Sequence, residues 1–213
     1  MGERENTLPA FAAAVALGAD MVELDLRRTR DGEIVVLHDQ LLQRLWGVGA
    51  SVGDLDLAEV AAIGEGDLRI PTLREVLDCV AVPLMVDFTR REVVPGALEA
   101  VRAAQSLGRS LFVTGNVEAL RLLRAASAEA RIGLTWVEGP EPPLALLAQL
   151  GAEYWNPMFT LVTPVGVAAV HDAGLSVSTW TVDAVEDMAR VVSAGVDAVV
   201  SNRVAELVAF LRQ

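Results

Sequence analysis

Lysine is missing from this sequence altogether, and all 17 basic residues are arginines. That excludes Schiff-base chemistry, which needs a lysine amine. It leaves arginine, backbone amides or a metal ion to hold any anionic ligand. Cysteine is almost as scarce: Cys79 is the only one, which rules out an internal disulfide and any multi-cysteine metal site. Its place in the apolar helical stretch from Val76 to Val80 predicts a buried structural thiol. Basic charge is outweighed, 17 residues against 29 acidic ones for a net charge of −12. Nucleic acid is thereby excluded as a partner, because nothing would neutralise its backbone. No apolar run reaches the roughly 18 residues of a membrane span. The segment from Leu8 to Leu17 is broken by Pro9 and lacks the basic leader and cleavage site of a signal peptide. A cytoplasmic location is the expectation, with any leader having to lie upstream of Met1.

What is present is material for a core. A chain of 213 residues, 53% of them hydrophobic, suffices for one sizeable globule and is short for two domains. One phrase recurs: a helical run ends in glycine, and a short β-prone run follows. Gly18 leads into Met21–Asp25, Gly151 into Tyr154–Asn156, Gly174 into Ser176–Thr181 and Gly195 into Ala198–Asn202. Glycine past a helix end supplies the left-handed C′ position, so each phrase reads as helix, turn, buried strand. Further strand candidates are Leu84–Phe88, Leu111–Thr114 and Ile132–Trp136. Helical spacing covers Leu98–Leu107, Val117–Ala126, Leu144–Leu150, Val165–Ala173 and Met188–Val192. Strands alternating with helices predict a parallel sheet. The glycine-rich crossover of a dinucleotide fold is missing, and chemistry-capable residues stand at many strand ends. The expected fold is therefore an α/β TIM-type (β/α) barrel over residues 1–213. The count gives about seven barrel strands, one short of eight. Ile34–Leu37 is extra, following the Asp31-Gly32 turn as the second arm of a hairpin at the barrel mouth. Residues of about 40–70 read as a small insertion. Its Gly47-Val-Gly49 stretch is no phosphate loop, since no Gly-Lys-Ser/Thr follows and no strand leads into it.

Glu23 and Asp25 are two apart on a buried strand, so both side chains leave it on the same side. Two facing carboxylates are tolerable if a cation sits between them, or if barrel arginines pair with each. Asp87, closing the strand Leu84-Met-Val-Asp87, adds a third oxygen and favours a hard ion such as Mg²⁺ or Ca²⁺. His38-Asp39 ends the run Ile34-Val-Val-Leu37, where an imidazole beside a metal site can work as general acid or base. His171, near a helix end, reads as structural.

In order and spacing, Glu5-Asn-Thr-Leu-Pro-Ala-Phe11, Gly18-Ala-Asp20, Glu23-Leu-Asp25, Thr29-Arg-Asp-Gly32 and Val35-Val-Leu-His-Asp39 resemble the glycerophosphodiester phosphodiesterases. The resemblance continues through Ile70-Pro-Thr-Leu73, Trp180-Thr-Val182 and Gly195-Val-Asp197, so it covers nearly the whole chain. It implies that Glu23, Asp25 and Asp87 are metal ligands and that His38 is one of two catalytic histidines. It implies that Trp180 lines the pocket. The reaction implied is metal-dependent hydrolysis of a small glycerophosphodiester to glycerol 3-phosphate and an alcohol. Several positions depart from the family pattern. Only Met1–Arg4 precede Glu5, so the family's opening strand, with its His-Arg-Gly, has no counterpart here. Two open strand edges and weakened activity are the expectation, with self-association through those edges. Asp87 replaces a glutamate, and Thr89 stands at the substrate-facing position where the family has lysine. Arg44-Leu-Trp46 and Ser201-Asn202-Arg203-Val204 also differ from the usual Arg-Thr-Thr and Thr-Asp-Arg-Pro. Two alternatives therefore stay open: a degenerate barrel that binds a phosphorylated ligand or partner without turnover, and a related lysophospholipid phosphodiesterase.

Overall fold

The computed structural model describes residues 3–212. By contact pattern the chain divides between Leu111 and Phe112 into two compact units. In the first, α1 (Leu8–Ala16) leads into β1 (Val22–Arg28), which turns back as β2 (Ile34–Val36). There follow α2 (Gln43–Trp46), α3 (Leu57–Ala61), the short hairpin β3 (Gly64–Glu65) and β4 (Leu68–Arg69), and α4 (Leu73–Cys79). The first unit continues with β5 (Leu84–Asp87) and α5 (Val94–Ala103), and β6 (Ser110–Thr114) begins in it. The second unit holds α6 (Val117–Ala126), β7 (Arg131–Trp136), α7 (Leu144–Leu150), β8 (Tyr154–Pro157), α8 (Pro164–Asp172), β9 (Ser176–Thr179), α9 (Val185–Ser193), β10 (Ala198–Val199) and α10 (Val204–Leu211).

In the first unit β1 pairs in parallel with β5, Val22 facing Leu84 and Asp25 facing Asp87. On its other side β1 pairs antiparallel with β2, Leu26 facing Val36 and Arg28 facing Ile34. The Asp31-Gly32 turn is thus a hairpin, and Gly32 takes φ +100°, a conformation glycine adopts without a Cβ clash. In the second unit β7, β8, β9 and β10 pair successively in parallel. Gly151 takes φ +62° at the end of α7 and turns the chain toward β8, as the glycine phrase requires. Strands β1 and β5 to β10 correspond in chain order to the seven expected barrel strands, and β2 to the extra hairpin arm.

The pleat of β1 explains what it presents. Val22, Leu24 and Leu26 are buried on one face, while Glu23, Asp25 and Arg27 alternate onto the other and keep partial access to solvent. Each fully buried leucine contributes about 1.5–3 kcal/mol, so a one-residue slip of register is strongly disfavoured. The insertion has a core of its own. Val35, Leu37, Leu42, Val52, Val60 and Ile70 pack together, with Trp46 and Ile63 against them. Gly64 is required inside it, because a Cβ there would lie 2.3 Å from the Leu68 carbonyl oxygen.

Cys79 overturns its expectation: it is exposed. Leu73, Val76 and Leu77 form the buried stripe of α4, at the i, i+3, i+4 spacing of one helix face. Cys79 lies off that stripe beside exposed Asp78.

Candidate active site

The site is assembled where β1, β5 and the residues after β2 meet within the first unit. Because Asp25 and Asp87 are register partners on parallel strands, their side chains leave the same face next to each other. Glu23 lies two residues earlier on that face, opposite Met85. All three carboxylates are half-buried by surface, so a ligand can reach them, yet enough protein surrounds each that burial dominates its electrostatics. Glu23 holds its proton well above the ordinary glutamate range, first through burial and then through Asp25, Asp87 and Glu5. Asp25 is also raised, again by burial, with a hydrogen bond from Asn6 and the charges of His38 and Arg27 pulling the other way. Asp87 is pushed up to about 7 by burial and by Asp25.

His38 follows β2 closely. The Leu37 N–H donates to the Asp25 carbonyl at 2.9 Å, which ties this turn directly to β1. The imidazole is 60% exposed, and its Nδ1 lies 2.8 Å from Asp39 Oδ1. That contact, followed by the charges of Asp25, Asp39 and Glu5, raises the histidine's proton affinity, with partial burial opposing. Asp39 in turn accepts from Arg44 Nε at 2.5 Å, and Arg44 reaches back to Glu5 with Nη1 at 3.1 Å. Arg44 and then His38 hold the Asp39 carboxyl down at about 2, so it stays ionised and fixes the ring. His38, Asp39, Arg44 and Arg27 line an open cavity of about 680 Å³.

Of the residues expected from the sequence, Glu23, Asp25, Asp87 and His38 therefore gather in one place. Thr89 lies just beyond, exposed, in a neighbouring cavity of about 170 Å³ with Arg27 and Arg90. Trp180 follows β9 in the second unit, half-buried, its Nε1 donating to the Asn156 carbonyl at 3.1 Å. His171 is bonded to Asp197 Oδ2 at 2.9 Å, in keeping with a structural role. Asn6 went unassigned in the sequence. It takes a left-handed φ of +57°, tolerated by asparagine. From there its Nδ2 donates to Asp25 Oδ2 at 2.9 Å, while its Oδ1 accepts from the Asp25 N–H at 3.1 Å. The only sequence signal for it was its membership of the Glu5-Asn-Thr run.

The donor set suits a hard divalent cation. It offers oxygens only, with mutual repulsion to relieve, and among the described residues no arginine forms an ion pair with Glu23, Asp25 or Asp87. Among the described residues no three of these side chains stand together closely enough to form a ligand set.

The family model of the glycerophosphoryl diester phosphodiesterases matches residues 3–206, and the chain belongs to that family. A glycerophosphodiester phosphodiesterase from Caldanaerobacter subterraneus subsp. tengcongensis is 29% identical over 98% of this chain and 93% of its own. Lysophospholipase D of Rattus norvegicus is 40% identical over a shorter stretch, 39% of this chain and 32% of its own. Among solved structures, an Oleispira antarctica phosphodiesterase in complex with the product sn-glycerol-3-phosphate superposes with a TM-score of 0.90 at 22% identity, covering 98% of this chain and 92% of that one. A glycerophosphodiester phosphodiesterase from Thermotoga maritima gives 0.83 at 23% identity, covering 96% and 91%. These likenesses establish the TIM-type barrel fold. With family membership they place the chain among phosphoric diester hydrolases acting on glycerophosphodiesters. Members of the family generally depend on a divalent cation. No helix among the described residues is long and apolar enough to cross a membrane.

Proposed function

We propose that Glu23, Asp25 and Asp87 hold a divalent cation, Mg²⁺ or Ca²⁺, and that His38 transfers protons in hydrolysis of a glycerophosphodiester. The observation that carries this reading is the raised proton affinity of three carboxylates on one face, beside an imidazole fixed by an ionised aspartate. A cation bound there supplies charge neutralisation at the phosphoryl oxygens. The chain's own residues do the rest. Asp39 fixes Nδ1 of His38, so Nε2 is the nitrogen that exchanges protons with the substrate. Water supplies a hydroxyl to phosphorus; the bond from phosphorus to the alcohol oxygen breaks, the departing oxygen takes a proton from His38, and the proton released by the water returns through solvent to the imidazole. Glycerol 3-phosphate and the free alcohol result.

Thr89 contributes a polar contact to the substrate beside Arg27 and Arg90. Residues 1–213 are read as one catalytic domain, supported by a family match that runs unbroken from 3 to 206. The sequence has two histidines, and His171 is engaged with Asp197. A lysophospholipid substrate is the second reading, favoured by the 40% identity over 99 residues to the rat lysophospholipase D. Release of glycerol 3-phosphate from glycerophosphocholine, against release of choline from lysophosphatidylcholine, with each cation added in turn, separates the two. No turnover of either substrate with either ion would remove the catalytic reading and leave a binding barrel.

A further inference from the structure

Arg27 follows Glu23 and Asp25 at the two-residue period of β1, so its side chain rises from the same face above the carboxylates. Its surroundings differ from those of several other arginines of this unit. Arg30, Arg44, Arg69, Arg74 and Arg91 all stand within ion-pair distance of an aspartate or glutamate. Arg27 donates from Nη1 to the Leu26 carbonyl at 2.8 Å and from Nη2 to the His38 carbonyl, both of them neutral acceptors. Among the described residues it forms no ion pair. A guanidinium carries five N–H donors, so several stay available to an anion. Arg27 also borders both cavities, the one beside His38 and the one beside Thr89 and Arg90.

Beside a cation on the carboxylates, the remaining phosphoryl charge needs a positive side chain to hold it, and in a sequence without lysine that side chain must be an arginine. We propose that Arg27 is the substrate-binding residue that holds the non-bridging phosphoryl oxygens of the diester and of its glycerol 3-phosphate product. The inference rests on the site reading above. Arginine is well matched to this role, because its planar fork donates two parallel hydrogen bonds to one phosphoryl group and it keeps its charge at any working pH. Hydrogen bonds to the Leu26 and His38 carbonyls aim the fork before substrate arrives.

The competing role is a purely structural clamp on the His38 turn. The experiment is calorimetric titration of the full chain with glycerol 3-phosphate, and separately with inorganic phosphate, for wild type, Arg27→Ala and Arg27→Lys. Mg²⁺-induced gain in melting temperature is recorded on the same samples. The expected result is weaker binding of both anions by about tenfold to a hundredfold in Arg27→Ala. Arg27→Lys recovers part of it, and the metal-induced gain is kept in both variants. In steady-state assays KM rises more than kcat falls. Unchanged anion binding in Arg27→Ala would overturn the proposal, as would equal loss of anion binding and metal gain in both variants, the mark of a structural clamp. Arg27-dependent anion binding in a wild type that shows no metal gain would sustain Arg27 and count against the metal reading instead.

Discussion

Asp25 and Asp87 face each other in register across the parallel pair of β1 and β5, so two carboxylates leave the same side of adjacent strands. Adjacent strands are about 4.8 Å apart. At that separation each charge opposes ionisation of the other, and burial strengthens the effect. The metal reading follows from this pairing, as does its dependence on pH.

Asp87 binds its proton up to about 7, against an ordinary value of 3.8. A group whose proton affinity is higher in the folded state contributes stability that is full below its unfolded value and is lost as pH rises through the folded one. Metal-free protein is therefore expected to melt at falling temperature between about pH 4 and pH 7 from this group, and Asp87→Asn to flatten that slope. A divalent cation should restore stability most at the upper end, where the carboxylates are ionised and free to bind it. Thermal melts across pH, with and without Mg²⁺ or Ca²⁺, read this directly. A metal gain that is constant across pH would argue against ligation by these groups.

His38→Ala should lower kcat by about 10²–10⁴-fold, the usual contribution of a positioned acid or base. Asp39→Asn removes the largest cause of the raised proton affinity of His38. The limb of the pH–rate profile that reports His38 should then move to lower pH, and the residual rate should exceed that of His38→Ala. A profile that keeps its position in Asp39→Asn would mean that another group is being titrated.

Asn6→Ala removes the hydrogen bond that lowers the proton affinity of Asp25 and leaves the Asp25 N–H without its side-chain acceptor. Loss of such a partly buried bond costs about 1–3 kcal/mol. The pH at which the cation gives half its maximal melting gain should rise, because Asp25 gives up its proton later. Equal metal gains at every pH in wild type and Asn6→Ala would separate Asn6 from the site.

Much of this was legible in the sequence, because short periods encode it. The two-residue period of Glu23 and Asp25 gave their common face, and α7 begins and ends where its spacing says, at Leu144 and Leu150. The strand expected to stop at Asp25 runs on to Arg28, because Leu26, Arg27 and Arg28 find partners in β2. The helix expected over Leu98–Leu107 begins earlier and is α5, Val94–Ala103. Pro95 in its first turn starts it, since proline costs nothing where the N–H is unpaired anyway. Left-handed Gln105 then lies beyond its end. The Glu5–Arg44–Asp39 chain and the contacts of Asn6 could not be read locally. Glu5 and Arg44 are 39 residues apart, and only tertiary structure brings them together.

One titration bears most directly on the carboxylate face. Glycerol 3-phosphate released from glycerophosphocholine is measured near neutral pH against increasing Mg²⁺ or Ca²⁺, for wild type, Glu23→Gln, Asp25→Asn and Asp87→Asn. Wild type is expected to show saturable metal-dependent release. The three variants are expected to need far more metal or to stay at background, each with its fold intact by circular dichroism. Release that is independent of added and chelated metal, and equal in wild type and all three variants, would contradict the assignment of the chemistry to this face of β1 and β5.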